Sequence, residues 1–233
     1  MLPSRHGQGP SKPAVRIYKS YTTTFSTTET PISEGGLWSN VGVDWTLVDL
    51  ASGIAFGTQV GGGFDDSWAE LTGVSLAPDV QVDATVFKGT TSGTQEVEIH
   101  LRANSAPHVA NRYEFNVAHD GQYWNGYQWP GPLGTVVGDF RPLATETGGI
   151  QFAVPGGAIN NGDILRMRIQ GNVMTGYINR GSGFVLVGTW TDTAGAGGGA
   201  ALVSGNVGIG FFKTSGSGAM NQYGFTDFTV TEI

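Results

Sequence analysis

Read as an extended strand, "QEVEIHLRA" at residues 95 to 103 places Glu96, Glu98, His100 and Arg102 on one side and Val97, Ile99 and Leu101 on the other. Successive side chains of a strand point to opposite faces. Carboxyl and imidazole groups at this spacing can exchange protons, and carboxylates beside guanidinium groups equally form ion pairs. The next run, "RYEFNV", puts Arg112, Glu114 and Asn116 on one face and Tyr113, Phe115 and Val117 on the other. The connector "ANSAPHVAN" is short enough for an antiparallel pair, so one sheet face is expected to carry all seven polar groups. A third run, "ILRMRIQ", adds Arg166, Arg168 and Gln170 on one face, and four of the chain's eight arginines lie in these three runs. Opposite charges adjacent across strands stabilise each other by roughly 0.2 to 1 kcal/mol per pair. Three readings of the row are open: a solvated or structural ion-pair face, a ligand-binding floor, and a catalytic site.

The elements that must hold these residues are strands. Gly accounts for 38 of 233 residues, more than twice the usual share of ~7%. It separates short runs rich in Val, Ile, Thr, Phe, Tyr and Trp, the pattern of many strands joined by tight turns. "DVQVDATVFKG" alternates Val80, Val82, Ala84 and Val86 inward against Gln81, Asp83 and Thr85 outward. No segment sustains a 3.6-residue apolar period, so almost no helix is expected. "NNGD" and "QGN" bracket the run Ile164 to Ile169, and the second is expected to close a hairpin. "TAGAGGGAALVSGN", residues 193 to 206, reads as a surface loop. Nothing marks a domain boundary beyond the N-terminal segment, and many evenly spaced strands in one domain imply a two-sheet sandwich or a barrel.

Composition excludes several functions. Without Cys there is no disulfide, thiolate metal site or Cys nucleophile. No apolar run approaches the ~20 residues of a membrane span. Residues 1–28 hold Arg5, Lys12, Arg16 and Lys19 and no acid, and the remainder has eight basic against nineteen acidic residues. An acidic body argues against nucleic acid as its partner. The reading is a basic arm at 1–22 and one domain at 23–233, with the arm either a solvated leader or a contact to neighbouring protein subunits. The first residues have no continuous apolar segment and are not an intact signal peptide.

A resemblance can be read from "NGDILRMRIQGNVMTGYINRGSGFVLVGTWTD" followed by "NVGIGFF". It is similar to the C-terminal half of concanavalin A-like lectin/glucanase jelly rolls, over about residues 160 to 232 and less closely 30 to 120. The resemblance implies an all-β, two-sheet antiparallel jelly-roll sandwich, whose polar sheet face can form a groove for polymers. That superfamily hosts enzymes, lectins and structural proteins alike. Retaining glucanases on this fold carry E-x-D-x-E on a strand. "EVEIH" is similar in spacing, with Glu96 at the nucleophile position and Glu98 at the helper position, but His100 stands where the acid/base carboxylate belongs. Glycoside hydrolysis needs two carboxyl groups in most families.

"GQYWNGYQWPGP" adds Tyr123, Trp124, Tyr127 and Trp129. Exposed rings stack on sugars, and Trp124, Tyr127 and Trp129 are the candidates; the alternative is that the rings plug one end of the sandwich. Trp124 and Tyr127 differ in parity, so a bulge or turn is expected at Asn125-Gly126. Trp38, Trp45, Trp68 and Trp190 sit in apolar patterns and are expected in the core. Jelly rolls of this group often hold a structural calcium ion. Asp65, Asp66, Asn160, Asn161 and Asp163 offer oxygens without an EF-hand spacing, and turn chemistry explains them better. His6, His100, His108 and His119 show no ligand spacing, and no other cofactor motif appears. The leading expectation is a non-catalytic module that binds polysaccharide through Glu98, His100, Arg102, Arg112, Glu114, Asn116, Arg168 and the aromatics. A structural component of a virion or other assembly, held by the arm, comes second, and an enzyme on glycans comes third. The expected setting is extracellular or on a particle surface.

Overall fold

The computed structural model describes residues 19–40, 44–60, 66–132, 141–145, 151–193 and 200–233. Arg5, Lys12, Arg16 and Asp65 lie outside the described residues. Seventeen strands follow one another: β1 (Ser20–Thr23), β2 (Trp38–Asn40), β3 (Val48–Ala51), β4 (Ile54–Gly57), β5 (Ser67–Leu71), β6 (Val80–Lys88), β7 (Gln95–Ala103), β8 (Val109–Ala118), β9 (Trp124–Pro132), β10 (Arg141–Pro142), β11 (Ala144–Thr145), β12 (Gln151–Phe152), β13 (Ile164–Gln170), β14 (Val173–Asn179), β15 (Phe184–Thr191), β16 (Asn206–Lys213) and β17 (Tyr223–Glu232). One 3₁₀ turn, Met220–Gln222, is the only helical element among the described residues. No helix there is long and apolar enough to cross a membrane.

The strands form two antiparallel sheets. The first runs β11-β15-β14-β13-β6-β17-β4-β3, with β1 also on β17, and the second runs β10-β9-β8-β7-β16-β5-β2, with β12 on β9. Period-2 patterning decides what lies between them. Val80, Val82, Ala84 and Val86 of β6 are buried, as are Leu165, Met167 and Ile169 of β13. They meet Val97, Ile99 and Leu101 of β7 and Tyr113, Phe115 and Val117 of β8 in one core. Each alternation expected for β6, β7, β8 and β13 therefore has its apolar half inside. Lys19, the last basic residue of the N-terminal segment, donates from Nζ to the Ser75 carbonyl at 3.0 Å, and Ser20–Thr23 pairs along Thr231 to Phe228.

Turn chemistry fixes the register around β13 and β14. Gln170 pairs with Val173, leaving Gly171-Asn172 as a two-residue loop, and Gly171 has φ +60°. Glycine at the first central position with positive φ is what a type II′ hairpin requires. After β14, Asn179 Oδ1 accepts from the amides of Gly181 and Gly183 at 2.8 and 3.0 Å. That longer loop is why glycine arrives one residue late in "YINRG".

Candidate functional site

The antiparallel pairing of β7 with β8 matches Glu98 to Asn116 and His100 to Glu114. The next ladder matches Asn116 to Asn125, Glu114 to Tyr127 and Arg112 to Trp129. On the other side of β7, His100 faces Gly208 and Glu98 faces Gly210. The outer face of the second sheet thus gathers Glu96, Glu98, His100, Arg112, Glu114, Asn116, Tyr127 and Trp129, as the alternation implied. It is not a solvated face, however. Glu98, His100, Arg112 and Glu114 are buried.

Glycines and tryptophans make that burial possible. A Cβ on residue 210 would lie 2.2 Å from Glu98 Oε2 and 2.7 Å from His100 Cε1, so the bare backbone of β16 leaves the space those side chains fill. His100 packs edge-on against Trp68, with ring centroids 5.3 Å apart. The Arg112 guanidinium sits between three indoles, 3.6 Å from Trp68, 4.6 Å from Trp129 and 4.7 Å from Trp45. Cation–π attraction strengthens when the cation is desolvated. Trp45, Trp68 and Trp129 form a small cluster apart from the main core, which corrects the expectation that Trp45 and Trp68 fill the core between the sheets. Trp38 and Trp190 do belong there.

The carboxylates divide by their partners. Glu114 Oε2 accepts from Arg112 NH2 at 2.6 Å and Nε at 3.2 Å, and from Trp129 Nε1 at 2.7 Å. Glu98 Oε2 lies 2.9 Å from His100 Nε2. Burial, followed by the charges of Glu114 and Asp66, pushes Glu98 well above the usual carboxylate range. Burial and then the Arg112 charge push His100 well below an ordinary imidazole, so burial favours the uncharged form of both groups. Glu96 accepts from the Tyr123 hydroxyl. Burial raises it to about 7, opposed by that hydrogen bond and reinforced by Glu114.

A pocket of about 150 Å³ opens beside this cluster, lined by Asp66, Glu96, Glu114, Asn116, Asn125, Tyr127, Trp129 and Phe212. The side-chain carbonyls of Asn116 and Asn125, neighbours across β8 and β9, are buried and have no hydrogen-bond donor among the described residues. Buried polar atoms nearly always have a partner, so these two carbonyls are free to accept hydrogen bonds from a group that enters the pocket.

Three expected members are elsewhere. Arg102 adopts φ +49°, a left-handed turn at the end of β7 that takes its side chain out of the row. It donates to the Pro78 and Leu202 carbonyls and to Asp79 Oδ1. Trp124 points into the core beside Trp190. No bulge separates it from Tyr127, because the β8–β9 register runs unbroken through Asn125 and Gly126. Gly126 is there for close approach: a Cβ would lie 2.7 Å from Trp190 Cδ1. Arg168 belongs to β13 and so to the first sheet, on the opposite outer face. Sequence reasoning missed Asn125, Asp66 and Phe212 as pocket residues. Asp66, Trp68 and Glu70 share one parity in "DSWAE", and Gly208 and Gly210 share one in "NVGIGFF", so part of that signal was present.

Among the described residues one group of three or more ligating side chains comes together, Glu98, His100 and Glu114, with ligand atoms within 4.8 Å of one another. Calcium takes six to eight oxygens. This group offers a ring nitrogen, and Arg112 already occupies Glu114, so it does not suit calcium. Asp163 Oδ2 accepts from the Asn160 amide at 2.8 Å and Asn161 Oδ1 accepts from the Lys88 amide at 3.0 Å, the turn chemistry expected of "NNGD".

Two packed antiparallel sheets with this strand order form a concanavalin A-like jelly roll, and solved structures share the fold. The carbohydrate binding module CBM66 from Bacillus subtilis superposes with a TM-score of 0.51 at 13% identity, over 87% of this chain and 96% of that one. The exoplasmic/lumenal domain of VIP36, in a Ca2+/Man2-bound form, gives 0.59 at 9% identity, over 92% and 87%. The Crh5 transglycosylase in its apo form gives 0.53 at 12% identity, over 91% and 84%. No family model matches the sequence, and no curated protein matches it.

Proposed function

We propose that the protein is a glycan-binding β-sandwich whose binding site is the pocket on the outer face of the second sheet. The observation that carries this reading is the adjacency of Asn116 and Asn125, two buried amides without a hydrogen-bond donor, to the rings of Tyr127 and Trp129. Sugars are held by that combination: amides and carboxylates take the hydroxyl groups, and an aromatic ring takes the apolar face. The names of two structural neighbours, a carbohydrate binding module and a Man2-bound domain, support the same class of ligand. Arg112, Glu98 and His100 serve this site from below, as a buried frame that fixes Glu114 and Trp129.

Isothermal titration with neutral and acidic oligosaccharides tests the reading. Asn125→Ala is expected to weaken the best ligand about tenfold or more, the loss for one buried hydrogen bond. Unchanged affinity in that variant would place binding elsewhere.

One observation favours a second reading, glycoside hydrolysis. Glu96 and Glu114 open on the same pocket, and Glu96, raised to about 7, keeps a proton where a general acid needs one. Glu96→Gln separates the two readings: a hydrolase cleaves the oligosaccharide and loses that turnover in the variant, whereas a binding module shows no turnover in either form.

A further inference from the structure

Arg166 and Arg168 stand two residues apart on β13 and both face outward from the first sheet, yet their surroundings differ. Arg166 donates from Nε and NH2 to the two carboxylate oxygens of Asp83 at 2.6 and 2.7 Å, and its guanidinium lies 3.5 Å from the Phe184 ring centroid. It is a completed ion pair. Arg168 has no carboxylate within 4.0 Å among the described residues. Its side chain makes one long hydrogen bond, 3.4 Å from NH2 to Gln170 Oε1. Its Nε is shielded from water and has no acceptor.

The guanidinium borders a depression of about 360 Å³ lined by Arg168, Gln170, Val173, Thr175 and Tyr177. The hairpin register puts Thr175 directly across from Arg168, with Tyr177 two residues further along β14. The NH1 and NH2 groups of that guanidinium, unlike the shielded Nε, can meet a carboxylate end-on with parallel donors in bidentate geometry. Tyr177 supplies a ring against which a sugar can lie, and Thr175 and Gln170 supply hydrogen-bonding groups beside it. The chain carries a net charge of −7, so its long-range field repels anions. An anion held here must be recognised locally, which suits a single carboxylate on a sugar better than a densely charged polymer.

We infer that this depression is a second ligand site, separate from the Asn116–Asn125 pocket and on the opposite face of the sandwich, which takes the carboxylate of a uronate sugar on Arg168 and its ring on Tyr177. The site does not depend on the pocket of the second sheet. Its failure and the failure of the pocket are told apart by Tyr127→Ala, which alters only the pocket.

Nuclear magnetic resonance titration of the ¹⁵N-labelled chain with D-glucuronate, D-glucose and acetate tests it. Glucuronate is expected to give saturable shifts of the Thr175 and Tyr177 amides and of the Arg168 Nε–H. Arg168→Gln is expected to abolish the amide shifts with an unchanged melting temperature, and Tyr127→Ala to retain them. Glucose is expected to give none, and acetate much smaller ones. Absent shifts with glucuronate, or shifts that survive Arg168→Gln, would overturn the site. An acetate response equal to that of glucuronate would overturn its assignment to a sugar.

Discussion

Arg166 and Asp83 on the first sheet each keep 25% of their side-chain exposure, whereas Arg112 on the second keeps none and its partner Glu114 keeps 5%. Both are cation–carboxylate pairs produced by strand alternation, and both place the guanidinium against aromatic rings. The difference lies in what covers them. On the second sheet, Gly208 and Gly210 lower the floor while Trp45, Trp68 and Trp129 close over it. On the first sheet, water has access. An identical binary pattern thus makes an ordinary exterior on one face and, on the other, a buried polar frame beside a pocket.

The sharpest way to break this comparison is to remove both cations in turn. Arg112→Met leaves Glu114 buried without its counter-charge and is expected to cost about 3 to 5 kcal/mol. Arg166→Ala, on the wet face, is expected to cost about 1 kcal/mol or less. Urea unfolding of the two variants measures both, and equal losses would erase the distinction.

The pH dependence of stability is next in size. Glu96 titrates near 4.5 in the unfolded chain and near 7 in the fold. Between those values the folded state binds more protons, so its contribution is complete below about 4.5 and is lost as pH rises toward 7. Glu98 acts in the same direction. His100, lowered by burial, acts oppositely, its contribution being lost as pH falls below 6.5. Glu96→Gln is expected to recover stability relative to the native chain between about pH 5 and 7.5, by an amount of order 3 kcal/mol. Thermal melts across that range check the sign.

Gly210→Ala is a smaller test of the lowered floor. Its Cβ would displace Glu98 and His100, at a cost of about 1 to 3 kcal/mol. A variant as stable as the native chain would show that the glycine is not what admits the frame.

Much of this was legible in sequence. The alternation of "QEVEIHLRA" and "RYEFNV" identified the face and six of its members, and "NNGD" and "QGN" marked real turns. The burial of that face was not legible, because it depends on Trp45 arriving from the segment before β3 and Trp68 from β5, far away in sequence. Gly126 misled for a related reason: "NG" signals a turn locally, but here the glycine answers to Trp190 of β15. Arg102 and Arg168 had the right parity for the polar row. A left-handed backbone turn removed the first, and membership of the other sheet removed the second, which a strand-by-strand reading does not reveal.

The central claim is that the pocket of Asn116, Asn125, Tyr127 and Trp129 holds a glycan. Affinity electrophoresis of the native protein through neutral and acidic polysaccharides, with Tyr127→Ala and Arg168→Gln alongside, tests it most directly. The account expects at least one polymer to retard the native chain and Arg168→Gln, and to release Tyr127→Ala. No retardation by any polymer, or retardation by a neutral polymer that persists in Tyr127→Ala, would contradict it.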